Sequence, residues 1–378
     1  MLIGVPKEIH PGENRVALIP AGIAALQKAG FEVVIQTGAG DSAHIADDEY
    51  RNAGASLAPT AESLYQQADI ILKVRLPHTE EIGVMKEGTT LVCLLDAWFN
   101  LDTVKELAAK KIRSFALEFI PRTTRAQSMD VLSSMGALSG YRAVLSGAME
   151  LPQYFPMLMT AAGTIHPARV FIIGAGVAGL MAISTARRMG AVVEAYDTRV
   201  EVREQVESLG AKFVEFDLPQ EEGQSTGGYA TQKSEEFYRK QREQMTAKVA
   251  QADLVITTAA IPGKKSPRLI TNDMLKCMKK GSVVVDLAAE RGGNVEGTVA
   301  NKKAYVEGVT LIGYIDHPSR VPVHASQLLT KNITTFLLNM AKEGELNINM
   351  QDDIVAATLV TEDGEIKHAG LKAALTQE

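Results

Sequence analysis

The stretch RVFIIGAGVAG, residues 169 to 179, limits what this chain can fold into more than any other. An apolar run leads into Gly174, Gly176 and Gly179, and VAGLMAISTARRMG continues with helical period. In a strand–turn–helix unit the first glycine permits the tight turn and the second lets backbone approach a pyrophosphate. The third lets helix and strand close up. Ala178, Ala182 and Ala186 form a smooth i, i+4 face for packing on a sheet. The helix start, at Val177 and Ala178, offers free N–H groups and a partial positive charge to phosphates. The next strand, AVVEAYD, ends in Asp197, 23 residues after Gly174. An acid there accepts hydrogen bonds from the adenosine ribose hydroxyls and repels a 2′-phosphate. Thr198 and Arg199 follow, and Arg199 is the one feature arguing for a 2′-phosphate. These residues read as a dinucleotide site for NAD(H) in preference to NADP(H).

The surroundings repeat the same architecture. LIGVP, FEVVIQT, ADIILKV, TTLVCLL and IRSFALEFI alternate with helical stretches before residue 120, and ADLVITTA, GSVVVDLA and GVTLIGYI do so after the motif. Such alternation predicts βαβ units. At 378 residues the chain exceeds one core and fits two domains. The run SSMGALSGYRAVLSGAMELPQYFPML reads as a long connecting helix from Ser133, which Pro152 kinks or ends. Its Gly136, Ser139, Gly140 and Gly147 allow close approach to a neighbour. The tail, from SQLLTKNITTFLLNMAKEG, is too short to fold alone and is expected to return to the first domain. The expected fold is α/β, with two Rossmann-like domains. Each is a mostly parallel sheet flanked by helices, and long connecting helices join them with a cleft between. The expected domains are 1–132 with 322–378, and 133–321. One polar, Gly-rich segment, LPQEEGQSTGGYATQK (218–233), reads as either a functional lid or a disordered insertion, with Tyr229 at its centre.

Composition closes off other classes. A formal charge of −6 with scattered Lys and Arg gives no footprint for nucleic acid. Cys93 and Cys277 form no CxxC pair and the seven histidines no HExxH or HxH pattern, so no metal site is expected. No apolar run reaches the roughly eighteen residues of a membrane span, and the N-terminus lacks a signal-peptide core.

A nicotinamide enzyme acting on a hydroxy or amino acid needs a general acid/base near the substrate carbon, and none stands out. His10, His44 and His78 read as solvated surface residues. His317 is the most plausibly site-facing of the rest, and the sequence offers it no obvious orienting group. PRTTRAQSMDVLSS, residues 121 to 134, instead concentrates Arg122, Arg125, Gln127, Asp130, Ser133 and Ser134. Read from residue type alone, Asp130 and Ser133 are N-cap candidates for the following helix.

Taken together, MLIGVPKE…GENRVAL, LKV at 72–74, GAGVAG, ITTAAIPGKKSP and VVVDLAAERGG resemble the family uniting alanine dehydrogenase with the NAD(H)-binding part of proton-translocating transhydrogenase. The resemblance covers essentially the whole chain. The alanine dehydrogenase branch implies a substrate-binding Arg, a Lys, a catalytic His and an Asp before the GG. Arg15 and Lys73 match, but the His position is Leu94 and the Asp position Glu290. Losing that imidazole removes a proton transfer worth about 10²–10⁴ in rate. Transhydrogenation passes hydride between two nicotinamides and exchanges no substrate proton, so the absence fits that branch. There the resemblance implies that Arg122, Gln127, Asp130 and Ser133 grip the nicotinamide, that Tyr229 lies on a mobile loop closing over nucleotide, and that Thr258 and Ala259 run past the nicotinamide ribose.

The expected function is therefore the NAD(H)-binding component of a proton-translocating transhydrogenase. It would be a homodimer, with the NADP(H)-binding and membrane-spanning parts on separate chains. The expected location is cytoplasmic, held at the inner face of the membrane through those partners without a span of its own. The alternatives are a soluble amino acid dehydrogenase resembling alanine dehydrogenase, and an NADH-sensing module without chemistry.

Overall fold

The computed structural model describes residues 1–218, 234–261 and 263–375. The chain divides into two compact units, Met1–Met135 with Ser319–Glu378, and Gly136–Pro318. Both sheets are mixed, parallel in the main with antiparallel strands at one edge, as the two-domain Rossmann-like expectation requires.

In the first unit the eight-stranded sheet runs in the order Glu365–Ile366, Leu359–Glu362, Arg113–Ala116, Thr90–Leu94, Ile70–Arg75, Leu2–Val5, Glu32–Gln36, Ser56–Ala58. The six N-terminal strands are parallel to one another. Leu359–Glu362 joins antiparallel to Arg113–Ala116, so the C-terminal segment completes the N-terminal sheet. Ser114 and Thr361 hydroxyls meet at 2.6 Å across that seam.

The second unit orders its strands Lys212–Phe213, Val192–Tyr196, Arg169–Ile173, Leu254–Thr257, Val283–Asp286, Val309–Ile312, Lys303–Val306. Among the described residues only Lys303–Val306 is antiparallel to its neighbour in this sheet. The chain direction across the sheet reverses between Arg169–Ile173 and Leu254–Thr257, which is where open α/β sheets bind ligands at their carboxyl ends. Alternate residues of the first of these strands feed two cores. Val170 and Ile172 join one cluster, Phe171 and Ile173 another. Helices cover both faces, so after the exposed Arg169 the strand is apolar from Val170 to Ile173.

The connecting helix spans Val131–Glu150 and straddles the boundary between the units. It starts two residues before Ser133 and stops ahead of Pro152. Its small residues act unequally. A Cβ on Gly140 would lie 2.0 Å from the Ala178 carbonyl oxygen, and one on Gly147 would lie 2.5 Å from Leu254 Cδ1. At Gly136 the nearest atom is 3.9 Å away, so no close approach requires that glycine. Among the described residues no helix is long and apolar enough to cross a membrane, and no cluster of His, Cys, Asp or Glu could hold a metal.

Candidate functional site

The strand Arg169–Ile173 delivers the chain into Gly174, whose φ of 101° suits only glycine. The Gly174 N–H donates to Tyr196 O (2.8 Å), and a Cβ there would strike Thr258 Oγ1 at 2.3 Å. Gly176 precedes helix Val177–Arg188, whose N-terminus carries no side-chain cap. A Cβ on Gly176 would meet nothing within 4 Å, so hydrogen alone leaves a cradle in front of the uncapped Val177 and Ala178 end. Gly179 is the opposite case, since its Cβ would fall 1.8 Å from Gly174 O.

Asp197, buried at the end of Val192–Tyr196, accepts from Ala175 N through Oδ2 (2.7 Å) and from Arg199 N through Oδ1 (2.9 Å). The Arg199 guanidinium folds back on the same carboxylate, Nε to Oδ1 at 2.9 Å and Nη2 to Oδ2 at 2.8 Å. Each oxygen thus holds two donors, the usual capacity of a carboxylate. That pairing raises the Arg199 guanidinium above its ordinary range. Beside it the buried Thr198 Oγ1 has no hydrogen-bond partner among the described residues. Thr258 Oγ1 donates to Gly174 O (3.1 Å), joining the next strand end to the glycine turn.

Sequence reasoning missed two residues here. Asp286, ending Val283–Asp286, accepts from Thr257 Oγ1 (3.0 Å), Ala288 N (3.0 Å) and Val295 N (3.1 Å). Asn294 is fully buried and bonds Ala259 through both its N–H and its C=O. The signal was an acid closing the run VVVD and an amide after a Gly-Gly pair. Tyr229 and residues 219–233 lie outside the described residues.

In the first unit the cluster of residues 121–134 divides by role. The short 3₁₀ turn Thr124–Met129 is anchored by buried Ala126 and Met129 and by Asn332 Nδ2 donating to Ser128 O (2.9 Å). Arg125 forks onto Asp352 with two bonds of 2.7 Å and also reaches Asp353, so it ties the turn to the C-terminal segment. The Asp352 carboxyl is held well below its usual range, first by that guanidinium. Asp130 caps helix Val131–Glu150, accepting from Ser133 N (2.9 Å) and Ser133 Oγ (2.6 Å). Arg122 Nε stands 3.9 Å from Asp130 Oδ2. Gln127 is exposed, and its amide has no hydrogen bond among the described residues. The turn therefore gathers Arg122, Asp130 and Ser133 and leaves Gln127 presented outward.

Arg15 and Lys73 are buried and neutralised. Arg15 makes two bonds to Glu13, at 2.7 and 2.6 Å. Burial pushes the Glu13 carboxyl up, but Arg15 outweighs it and brings it down to about 2. Lys73 lies 2.7 Å from Glu81 and 3.6 Å from Glu8. His10 and His78 are half-buried, not the solvated surface residues expected. Their tilted rings lie 4.2 Å apart, and the His10 Nε2 lies 2.8 Å from Leu76 O. His317 is buried.

Just past Leu94, the half-buried Glu118 accepts from Leu95 N (3.1 Å) and Ala97 N (3.0 Å), and burial pushes its carboxyl up to about 7. The folded state therefore binds this proton more tightly than the unfolded chain, whose ordinary value is 4.5. Stability falls as pH rises from about 4.5 through 7, by about 1–2 kcal/mol after discounting for partial exposure. Urea denaturation at pH 5 and 8 should show that slope in the wild type and a flatter one in Glu118→Gln. Equal slopes would assign the pH dependence elsewhere.

The family model described as alanine dehydrogenase/PNT, N-terminal domain, matches residues 4–139, and the corresponding C-terminal domain model matches 143–369. The chain is 46% identical over 379 residues to the first part of NAD(P) transhydrogenase subunit alpha of Rhodospirillum rubrum, covering 98% of this chain and 99% of that one. The crystal structure of transhydrogenase from Sinorhizobium meliloti matches with a TM-score of 0.86 at 42% identity, covering 98% of this chain and 100% of that one. An L-alanine dehydrogenase structure matches with a TM-score of 0.85 at 28% identity, covering 100% and 99%. Backbone shape does not separate the two branches, whereas sequence identity does.

Proposed function

Because the chain belongs to the alanine dehydrogenase/PNT family, we propose that it is the NAD(H)-binding component of a proton-translocating NAD(P)⁺ transhydrogenase. The observation that carries this reading is the near-complete mutual coverage, at 46% identity, with the first portion of a transhydrogenase alpha subunit. Leu94 supports it, since it offers no proton where an amino acid dehydrogenase needs one. So does the engagement of Arg15 and Lys73 by carboxylates, which leaves neither free for a substrate carboxylate.

The cradle at Gly176, the uncapped helix start and the orphaned Thr198 hydroxyl fit a dinucleotide. A nicotinamide supplies or accepts the hydride at its ring. Backbone N–H groups at Val177, Ala178 and Gly179 hold the pyrophosphate. Asp197 takes the adenosine ribose hydroxyls once the Arg199 guanidinium yields part of the carboxylate, and Thr198 lies alongside. Thr258 and Ala259 flank the nicotinamide ribose; Tyr229, outside the described residues, is assigned to nucleotide binding. Arg122, Gln127, Asp130 and Ser133 grip the carboxamide. Gln127 is suited to this because its amide is uncommitted, while Asp130 keeps its capping bonds and orients Ser133. None of these groups moves a proton in the hydride step. They hold a ring in place and keep water out. The protein works as a homodimer, docked to NADP(H)-binding and membrane-spanning chains on the cytoplasmic face.

The test is reconstitution. Membranes carrying the partner chains but stripped of this one should regain reduction of an NAD⁺ analogue by NADPH, rising with added protein to saturation. No recovery on membranes with an intact NADP(H) site, together with alanine-dependent reduction of NAD⁺, would overturn the reading. A second expectation concerns Asp197→Ala. It should weaken NADH binding about 10- to 100-fold, the worth of charged hydrogen bonds to the ribose, with little loss for NADPH. An unchanged NADH-to-NADPH ratio in fluorescence titrations would take Asp197 out of the ribose pocket.

A further inference from the structure

Strand Leu254–Thr257 runs out just before Thr258 and Ala259, yet Ala259 does not hang free. Its N–H donates to Asn294 Oδ1 (3.1 Å), and its C=O accepts from Asn294 Nδ2 (2.9 Å). The second Nδ2 hydrogen goes to Pro267 O (2.9 Å). A buried amide thus supplies the paired contacts that an adjacent strand would give, at a point where no strand continues. Asn294 is held in turn. Its backbone carbonyl accepts from Leu269 N (2.8 Å) and Ile270 N (3.0 Å). The next residue, Val295, donates to Asp286, which also binds the Thr257 hydroxyl. Gly293, with φ of 77°, is required here because a Cβ would lie 2.6 Å from Asp286 Oδ2. On the other side of Ala259, the Thr258 hydroxyl rests on Gly174 O.

We infer that Asn294 is a positioning residue, fixing the Ala259 peptide and through it the aim of the hydride. The inference rests on the proposed function, in which Thr258 and Ala259 flank the nicotinamide ribose. A hydride transfer without acid or base depends on near-attack geometry, and a displacement of about 1 Å costs on the order of 10²-fold in rate. Nucleotide affinity depends mainly on the glycine turn and Asp197, which Asn294 does not touch. Rate and affinity should therefore separate.

Asn294→Ser keeps one small polar group and breaks the double contact. Asn294→Asp keeps the shape but turns a carboxylate toward two carbonyl oxygens. In membranes reconstituted with partner chains, both should lower the hydride-transfer rate at saturating NADH at least tenfold, Asp more than Ser. The NADH dissociation constant of the purified chain should stay within about threefold of wild type. If Asn294→Asp does not fold, Asn294→Ser carries the test. A folded Asn294→Ser that transfers hydride at the wild-type rate overturns the inference alone. So does a rate that falls by the same factor as affinity and melting temperature, which marks a merely structural amide. A wild-type chain that fails to bind NADH overturns the underlying site assignment, and this inference with it.

Discussion

Gly179→Ala is expected to weaken NADH binding at least about 100-fold, equivalent to about 2.7 kcal/mol, and to lower the melting temperature as well. The added methyl would stand 1.8 Å from Gly174 O, a backbone atom no rotamer can move aside. Overpacking of this kind costs about 1–3 kcal/mol, occasionally more. Relief requires the start of helix Val177–Arg188 to back away from the turn, which carries the phosphate-binding N–H groups with it. Gly176→Ala gives the contrast. Its methyl meets no protein atom within 4 Å, so melting should be unchanged while NADH affinity drops. Calorimetric titration and thermal melting of both variants separate the cases. If Gly176→Ala bound NADH normally, the cradle would not be where the pyrophosphate lies.

Lys73→Met should destabilise the first unit by about 3–5 kcal/mol, the range for removing one partner of a buried ion pair. Lys73 is 0% exposed. Burial pushes its ammonium toward neutrality, but Glu8 and Glu81 outweigh that and keep it charged. Glu81 also accepts from the Tyr65 hydroxyl (2.5 Å) and His78 N (2.8 Å), and Glu8 from Val74 N (2.6 Å). Without the ammonium, two carboxylates remain buried among donors that cannot balance both charges. At least one must then take a proton when folded, with a value raised above its unfolded one. The folded variant therefore binds more protons than the unfolded chain, and its deficit should grow as pH rises. Melting curves at pH 5 and pH 8 should show the larger loss at pH 8. A loss under about 1 kcal/mol at both would mean that water reaches Glu81.

What could be read from the sequence was local. The glycine turn, the helix after it and the acid ending the next strand each follow from residues a few positions apart. The two Rossmann-like sheets follow from the same alternation. The antiparallel strands Lys303–Val306 and Leu359–Glu362 carry no mark in their own residues, because strand direction is decided by what lies alongside. Arg122 and Arg125 look alike in sequence. They differ because Asp352 and Asp353, more than 220 positions later, take Arg125. Asn294 carries no mark in sequence for the same reason, since its partner Ala259 is 35 positions away. The contact of His10 with His78 is not legible in sequence because each sits in a polar stretch, and the parallel pairing of Leu2–Val5 with Ile70–Arg75 brings those stretches side by side.

The return of Leu359–Glu362 to the N-terminal sheet also sets an order of assembly during synthesis. Every residue of the second unit leaves the ribosome before that strand does, so the second unit can finish folding while the first still lacks a member. Until then Arg113–Ala116 presents an open edge, the kind of surface that pairs with stray strands. Domains fold as units in the order they emerge, but here the segment made first is the one completed last. A nascent chain stalled shortly before residue 359 would carry a finished nucleotide-binding unit beside an unclosed sheet. It is at that stage that it would most need a chaperone.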